Sequence, residues 1–177
     1  MKSILSLLIA IVFMQTTFAQ EAQYPIVKSF GGIYEIEGAT NPDAEMEYNI
    51  VIDLKTMQRD KESINRGLNN VARMLNLHGL GGVAAENINV AVVVHGGATD
   101  TIIDNEAYQE RYDLDNPNIP LITALKDAGV EFYVCGQSLL SRQYAHDEVN
   151  TEVTIALSML TTFTTYMLNG YVPLVFD

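Results

Sequence analysis

The stretch that decides the fold is Val130-Glu131-Phe132-Tyr133-Val134-Cys135-Gly136-Gln137-Ser138. A short, largely apolar run of β-forming residues ends in the only cysteine of the chain, and a glycine follows at once. This order predicts a buried strand with a thiol at its carboxyl end. Open α/β sheets bind their ligands beyond that end of the strands, so Cys135 is the first candidate for a functional residue.

Strand and helix patterns alternate on both sides of this stretch. Further strands are predicted from near-continuous apolar runs, and helices from apolar residues that recur at three- and four-residue steps. The predicted strands are Tyr48–Leu54, Asn87–His95, Val130–Val134 and Tyr171–Phe176, and the predicted helices are Asp60–Leu77, part of Ile103–Tyr112, Leu121–Ala128, Ser138–Ala145 and Thr154–Leu168. Pro173 favours an edge or a bulge for the last strand. The alternation predicts an α/β fold with a mostly parallel sheet and right-handed crossovers.

Residues 1–19 have the pattern of a secretory signal peptide. Lys2 supplies positive charge, Ile4–Phe13 is almost wholly apolar, and Thr17-Phe18-Ala19 offers small residues for cleavage after Ala19. The apolar run is shorter than the roughly 20 residues that span a bilayer, which disfavours an uncleaved anchor. We therefore expect an exported protein, periplasmic or secreted, without a membrane attachment after cleavage.

The mature chain divides into two parts. Residues 20–47 carry turn signals with little periodicity and are predicted to form an extended arm, with a short strand at Gly32–Ile36. This arm either packs on the domain or makes a subunit contact. Residues 48–177 are predicted to form a single α/β domain.

Charge and cysteine content restrict the function. Removal of Lys2 leaves nine basic and 22 acidic residues, a formal net charge of −13 that opposes binding to nucleic acid or anionic membranes. A lone cysteine cannot form an internal disulfide, so an exported thiol is buried and inert, paired with another chain, or used in chemistry.

Two strand ends carry the candidate site. If their strands are parallel, His95 and Cys135 leave the sheet at the same edge, where a helix start and a nearby imidazole would lower the pKa of the thiol. The predicted catalytic residues are Cys135 and His95, and the predicted substrate-binding residues are Gly96, Gly97, Gly136 and Gln137. The alternative for both catalytic candidates is a structural role in the core.

Metal and cofactor sites are not expected. His78 and His146 lie in predicted loops and have no ligand spacing with Cys135. Asp113-Leu114-Asp115-Asn116 lacks the glycine and the distal glutamate of a calcium loop and is interpreted as a solvated acidic loop. The glycine pattern of a dinucleotide fold and the lysine of a phosphate loop are missing from the sequence.

Three segments resemble the DsrE/DsrF-like (YchN-like) family: Val92–Ala98, Leu125–Ser138 and Leu168–Tyr171. The resemblance covers roughly Tyr48–Val175. It implies a three-layer α/β sandwich with a parallel sheet of about five strands that assembles as homotrimers or homohexamers. Some members carry sulfur as a cysteine persulfide, and the family's cysteine falls on Cys135.

Three hypotheses follow. In the first, the Cys135 thiolate accepts sulfane sulfur from a persulfide or thiosulfate-like donor and passes it to another thiol, such as that of a partner protein, while His95 tunes the thiol or donates a proton. In the second, the protein is a non-catalytic exported binding or assembly module with a structural Cys135. The third is redox sensing through oxidation of Cys135. Self-association through the apolar helix Thr154–Leu168 is expected, with simple burial of that helix as the alternative.

Overall fold

The computed structural model describes residues 20–176; the expected signal peptide, residues 1–19, lies outside them. The strands are β1 Tyr48–Leu54, β2 Ile88–Val94, β3 Glu131–Cys135, β4 Thr154–Ala156 and β5 Val172–Phe176. The helices are α1 Arg66–Leu80, α2 Asn105–Tyr112, α3 Ile119–Asp127, α4 Gly136–Arg142 and α5 Met159–Leu168. Short 3₁₀ segments lie at Ala85–Asn87, Gly96–Ile102 and His146–Glu148.

The strands form one sheet in the order β4-β3-β2-β1-β5, and every neighbouring pair is parallel. The predicted parallel α/β architecture is therefore confirmed. β5 pairs with β1 at the edge of the sheet. Pro173 has no N–H group to donate, and an edge strand tolerates this because only one of its sides is paired. All the carboxyl ends of the strands meet at one edge, so the residues that follow β2 and β3 are brought together.

Alternate residues of the central strands separate the two faces of the sheet. Ile52 and Val92 belong to the main core, which α1, α2, α3 and α4 cover. Val51 and Val93 point the other way, into a smaller cluster against which α5 packs. The structure thus has the three layers that the family resemblance implies.

The C-terminal apolar segment differs from its prediction. The expected helix Thr154–Leu168 is wrong in its first part, because Thr154–Ala156 forms the edge strand β4. Ser158 then caps α5 by accepting a hydrogen bond from the Leu160 N–H group (3.2 Å). On α5, Leu160 and Leu168 are 70% and 88% exposed. Neither α5 nor any other helix within residues 20–176 is long and apolar enough to cross a bilayer.

Helix α1 begins at Arg66, six residues later than the predicted start at Asp60. Asn65 is its N-cap, since its side-chain oxygen accepts a hydrogen bond from the Leu68 N–H group (3.1 Å). Asp60–Ser63 forms a turn before the cap. The Asn65 side chain also donates to the Thr56 carbonyl (3.0 Å), which ties the start of α1 to the segment that follows β1.

The arm, residues 20–47, is irregular and packs on α1. The expected strand at Gly32–Ile36 is reduced to an isolated antiparallel bridge between Gln23 and Ile33. The buried side chain of Asn76 holds the arm: its oxygen accepts from the Val27 N–H group (2.8 Å), and its nitrogen donates to the Gly31 carbonyl (3.1 Å). Of the two expected roles of the arm, packing on the domain is therefore observed.

Candidate functional site

Cys135 lies where two helices begin. It is the last residue of β3 and directly precedes α4, and it stands opposite Ala156 of β4, shortly before α5 starts. The backbone N–H groups of Gln137, Ser138 and Met159 and the hydroxyl of Ser138 face its sulfur atom. Within residues 20–176 the sulfur does not form the side-chain hydrogen bond of a standard N-cap with α4. The N–H and O–H groups around it therefore act mainly through the partial positive charges on their hydrogen atoms.

These surroundings favour the thiolate. Burial raises the pKa of the Cys135 thiol, but hydrogen-bond donors around the sulfur lower it by more. These donors are the N–H group of Met159, the hydroxyl and N–H groups of Ser138 and the N–H group of Gln137. The pKa of Cys135 is therefore below its ordinary value. A thiolate is the nucleophilic form of cysteine, so the site is suited to attack on sulfur.

The sulfur is nevertheless well covered. Cys135 is only 5% exposed. A Cβ atom on Gly136 would lie 2.9 Å from the Ala156 carbonyl oxygen, which is backbone and cannot move aside cheaply. A glycine is therefore needed at position 136, because α4 lies close to the end of β4. The predicted role of Gly136 in substrate binding stays a prediction.

His95 lies one strand away from Cys135. The pairing of Val94 with Val134 places the two following residues at the same level of neighbouring strands, at the edge predicted from the sequence. The ring of His95, however, turns toward β1, where its Nε2 atom lies 2.6 Å from Asp53 Oδ1. The imidazole therefore pairs with a carboxylate rather than with the thiol.

Ser138 connects the two strand ends. Its hydroxyl oxygen accepts a hydrogen bond from the Gly96 N–H group (3.0 Å), and the same hydroxyl faces the sulfur of Cys135. Gly96 has a left-handed backbone with φ of 55°, which a glycine adopts at no steric cost. This link joins the segment after β2 to the first turn of α4.

The two other predicted substrate-binding residues have contacts within the protein. A Cβ atom on Gly97 would meet the Met57 Cβ atom at 3.0 Å, so this glycine lets the loop after β1 pack closely. Gln137 is exposed, and its Nε2 atom donates to the Leu157 carbonyl at 3.4 Å, a long bond that is weak. Ligand binding by either residue stays a prediction.

A buried carboxylate that the sequence analysis did not single out anchors α4. Asp100 is 2% exposed and accepts from Lys61 Nζ (3.0 Å), Arg142 Nε (3.1 Å) and the Tyr144 hydroxyl (2.8 Å), and also from the Tyr112 hydroxyl. Burial raises the pKa of the Asp100 carboxyl, but these four donors outweigh it, so that the pKa is lowered. Because Arg142 ends α4, the network fixes the helix that begins at the thiol.

The acidic segment Asp113–Asn116 is only partly solvated. Asp113 and Asp115 are exposed, as expected, but the interpretation of a solvated loop is wrong for Asn116. That residue is 3% exposed, and its Nδ2 atom donates to the Ile103 carbonyl (2.7 Å), so it ties the loop to the core. Within the described part of the chain, His, Cys, Asp and Glu side chains form no cluster of three or more that could hold a metal ion.

Comparisons with known proteins agree with this architecture. The model of the DsrE/DsrF-like family matches residues 47–176. The solved structure of MTH1491 from Methanobacterium thermoautotrophicum, a protein of unknown function, is similar with a TM-score of 0.53 at 15% identity, covering 72% of this chain and 98% of its own. At that identity the similarity supports the fold alone. No curated protein matches the chain.

The family match spans β1 to β5, and it therefore includes the Cys135 site and both layers of helices. The five-stranded parallel sheet agrees with the resemblance seen in the sequence. This chain belongs to the DsrE/DsrF-like family.

Proposed function

We propose that this protein carries sulfane sulfur as a persulfide on Cys135. The observation that supports the proposal most is the position of the sulfur among N–H and O–H groups at the starts of α4 and α5, which lowers the pKa of the thiol. Membership of a family in which some proteins carry sulfur on a cysteine supports the same role. Donor and acceptor are defined only by their chemistry, as a persulfide or thiosulfate and a thiol.

The chemistry needs no oxidant. The Cys135 thiolate attacks the outer sulfur of a donor persulfide, the new S–S bond forms as the old one breaks, and the donor leaves as a thiolate. The proton of the donor persulfide stays with the transferred sulfur. In the second step an acceptor thiolate attacks that outer sulfur, the Cys135 S–S bond breaks, and the Cys135 thiolate is restored.

Reaction requires access to a sulfur that is 5% exposed. In our proposal the donor enters beside Gln137, whose exposed side chain is held to the Leu157 carbonyl by a single bond of 3.4 Å and can move. Movement of an exposed side chain occurs in nanoseconds and is no barrier to a chemical step. Gln137 would then contact the incoming donor, as predicted from the sequence.

In this proposal His95, with its ring held by Asp53, gives a proton to the departing donor thiolate or takes one from the incoming acceptor thiol. The test is the rate at which His95→Gln passes sulfur to an acceptor thiol. We expect this variant to form the persulfide and to transfer its sulfur at least about tenfold more slowly, because a positioned acid–base group contributes about 10²-fold or more. An unchanged rate would exclude His95 from the reaction.

Mass measurement tests the proposal directly. After incubation with inorganic polysulfide, the intact protein should gain one sulfur atom, and a dithiol reductant should remove it. Cys135→Ser should gain none, and it is a matched control because it changes a single atom. Wild-type protein that gains no sulfur under these conditions would defeat the proposal.

The alternative is a non-catalytic binding or assembly module in which Cys135 only packs. The low exposure of Cys135 and the tight packing of Gly136 favour it. It predicts slow alkylation of Cys135 in the folded protein and unchanged stability in Cys135→Ala. Rapid alkylation of the native protein would exclude this alternative.

Export and self-association complete the proposal. We expect signal cleavage after Ala19, which the mass of protein recovered from an envelope or culture fraction would test. Self-association, as trimer or hexamer, would cover the exposed leucines of α5, Leu160 and Leu168. Light scattering should show an oligomer that Leu168→Glu dissociates, and a monomeric wild-type protein would contradict this expectation.

A further inference from the structure

A cavity lies on the α5 face of the sheet, beside Tyr133 in the middle of β3. Its volume is about 480 Å³, within the range of small-molecule sites. The residues around it are Tyr133, Thr161, Thr162, Thr165, Tyr166, Asn169 and Tyr171. Glu131, whose carboxylate bonds to Tyr133 and Tyr166 of the cavity, lies four positions before Cys135 on β3, about 13 Å along the strand, and Cys135 is not among the residues that line the cavity.

A carboxylate is fixed at the cavity by two of its tyrosines. The hydroxyls of Tyr133 (3.1 Å) and Tyr166 both donate to Glu131 Oε2, and the two hydroxyl oxygens are 2.9 Å apart. Burial raises the pKa of Tyr166, and its bond to Glu131 raises it further, so Tyr166 stays neutral and keeps donating. The second oxygen of Glu131 remains able to accept hydrogen bonds from a ligand.

The hydroxyl groups of the threonines at the cavity already donate hydrogen bonds to backbone carbonyls. Thr161 donates to the Ser158 carbonyl (3.0 Å), Thr162 donates to the same carbonyl (3.1 Å), and Thr165 donates to the Thr161 carbonyl (2.7 Å). A hydroxyl has a single proton to donate, so each of these groups can offer the cavity only lone pairs. Asn169 and Tyr171 can still donate at this cavity, but the carboxylate of Glu131 and the hydroxyls whose protons are committed favour a ligand that brings donors and positive charge.

The aromatic rings at the cavity also favour a cationic ligand. The Tyr166 ring contacts Tyr133 and Tyr171 in edge-to-face geometry, with centroids 5.7 Å and 4.7 Å apart. Tyrosine rings attract cations through their electron-rich faces. Burial raises the pKa of Tyr171, and the carboxylates of Glu131 and Glu47 raise it further, so two negative charges act on this corner of the protein.

We infer that this cavity binds a primary alkylammonium ion, with the ammonium group donating to Glu131 and to the tyrosine and threonine oxygens and the alkyl chain lying against the tyrosine rings. A primary ammonium carries three donors and no acceptor, which matches the Glu131 carboxylate and the tyrosine and threonine oxygens whose own protons are committed. The strongly acidic protein also concentrates cations at its surface. This inference is independent of the proposed function of Cys135.

Titration with n-butylammonium at constant ionic strength tests the inference. The protein has no tryptophan, so its fluorescence comes from nine tyrosines, three of which line the cavity, and calorimetry serves as a second readout. Saturable binding is expected, and Glu131→Gln should weaken it about tenfold or more, because a hydrogen bond to a charged group is lost. Glu110→Gln, an equal change of charge at an exposed position on α2, should bind as the wild type does.

Tetramethylammonium has the charge but no donor, and we expect it to bind wild-type protein at least about tenfold more weakly than n-butylammonium. This comparison needs no variant, so it holds even if Glu131→Gln fails to fold. The inference is overturned by an absence of saturable binding, by equal binding of the two cations, by equal affinity in Glu131→Gln, or by an equal loss in Glu110→Gln.

Discussion

Replacing Asp100 by asparagine removes a buried negative charge on which Lys61 and Arg142 converge. Removing one partner from a buried ion pair costs about 3–5 kcal/mol. Here the side chains of Lys61 and Arg142 are 21% and 30% exposed, so water partly rehydrates them, and asparagine keeps an oxygen for the hydroxyls of Tyr112 and Tyr144. We therefore expect Asp100→Asn to lower the free energy of unfolding by about 3 kcal/mol, the low end of that range.

Urea unfolding at neutral and acidic pH measures this effect. The pKa of Asp100 is lowered in the folded state, so its stabilisation is fully present above the ordinary aspartate value of about 3.9 and is lost as the pH falls through the lower folded-state value. The difference between wild type and Asp100→Asn should thus shrink below about pH 4. The exposed Asp147→Asn should change stability by less than about 0.5 kcal/mol. An equally small change in Asp100→Asn, or a difference that persists in acid, would refute the argument.

Two further substitutions test the site and the arm. Ser138→Ala removes a hydroxyl that faces the sulfur of Cys135, so alkylation of Cys135 at neutral pH should slow by about tenfold, and an unchanged rate would show that the hydroxyl does not act on the thiolate. Asn76→Ala leaves several buried backbone groups of the arm without partners, so the free energy of unfolding should fall by about 3 kcal/mol and limited proteolysis should cut the arm first. A variant as stable and as resistant as wild type would show that the arm is held by other contacts.

Matched controls accompany both substitutions. Ser141→Ala removes an exposed hydroxyl of α4 that donates to the Ser138 carbonyl (3.1 Å), and the alkylation rate should stay unchanged. Asn70→Ala changes another asparagine of α1, and its effect on unfolding should remain within about 0.5 kcal/mol.

The central strands could be predicted from sequence because burial on both faces leaves a continuous apolar run. β1 was predicted at Tyr48–Leu54 and β3 within one residue of its observed bounds. The edge strand Thr154–Ala156 was missed because three residues next to an apolar helix carry no period of their own. The signal that could have separated them is Ser158, a residue typical of N-caps.

The part of the site that adjacent residues form could be predicted from the sequence. Cys135 before a glycine and a helix start follows from adjacent residues, whereas the N–H group of Met159 reaches the sulfur only because β4 lies beside β3. Strand order is a long-range property that no local pattern contains. Asp53, the partner of His95, did leave a signal, since it is a charged residue within the apolar run of β1. Asp100 left none, because it is one of several acids in a polar connection.

The central claim is that the groups at the two helix starts lower the pKa of the Cys135 thiol. The rate of alkylation of the protein as a function of pH tests it most directly, since Cys135 is the only cysteine of the chain and gives the whole signal. The account predicts a midpoint below that of an ordinary cysteine, about 8.5. A midpoint at or above that of an ordinary cysteine would contradict it.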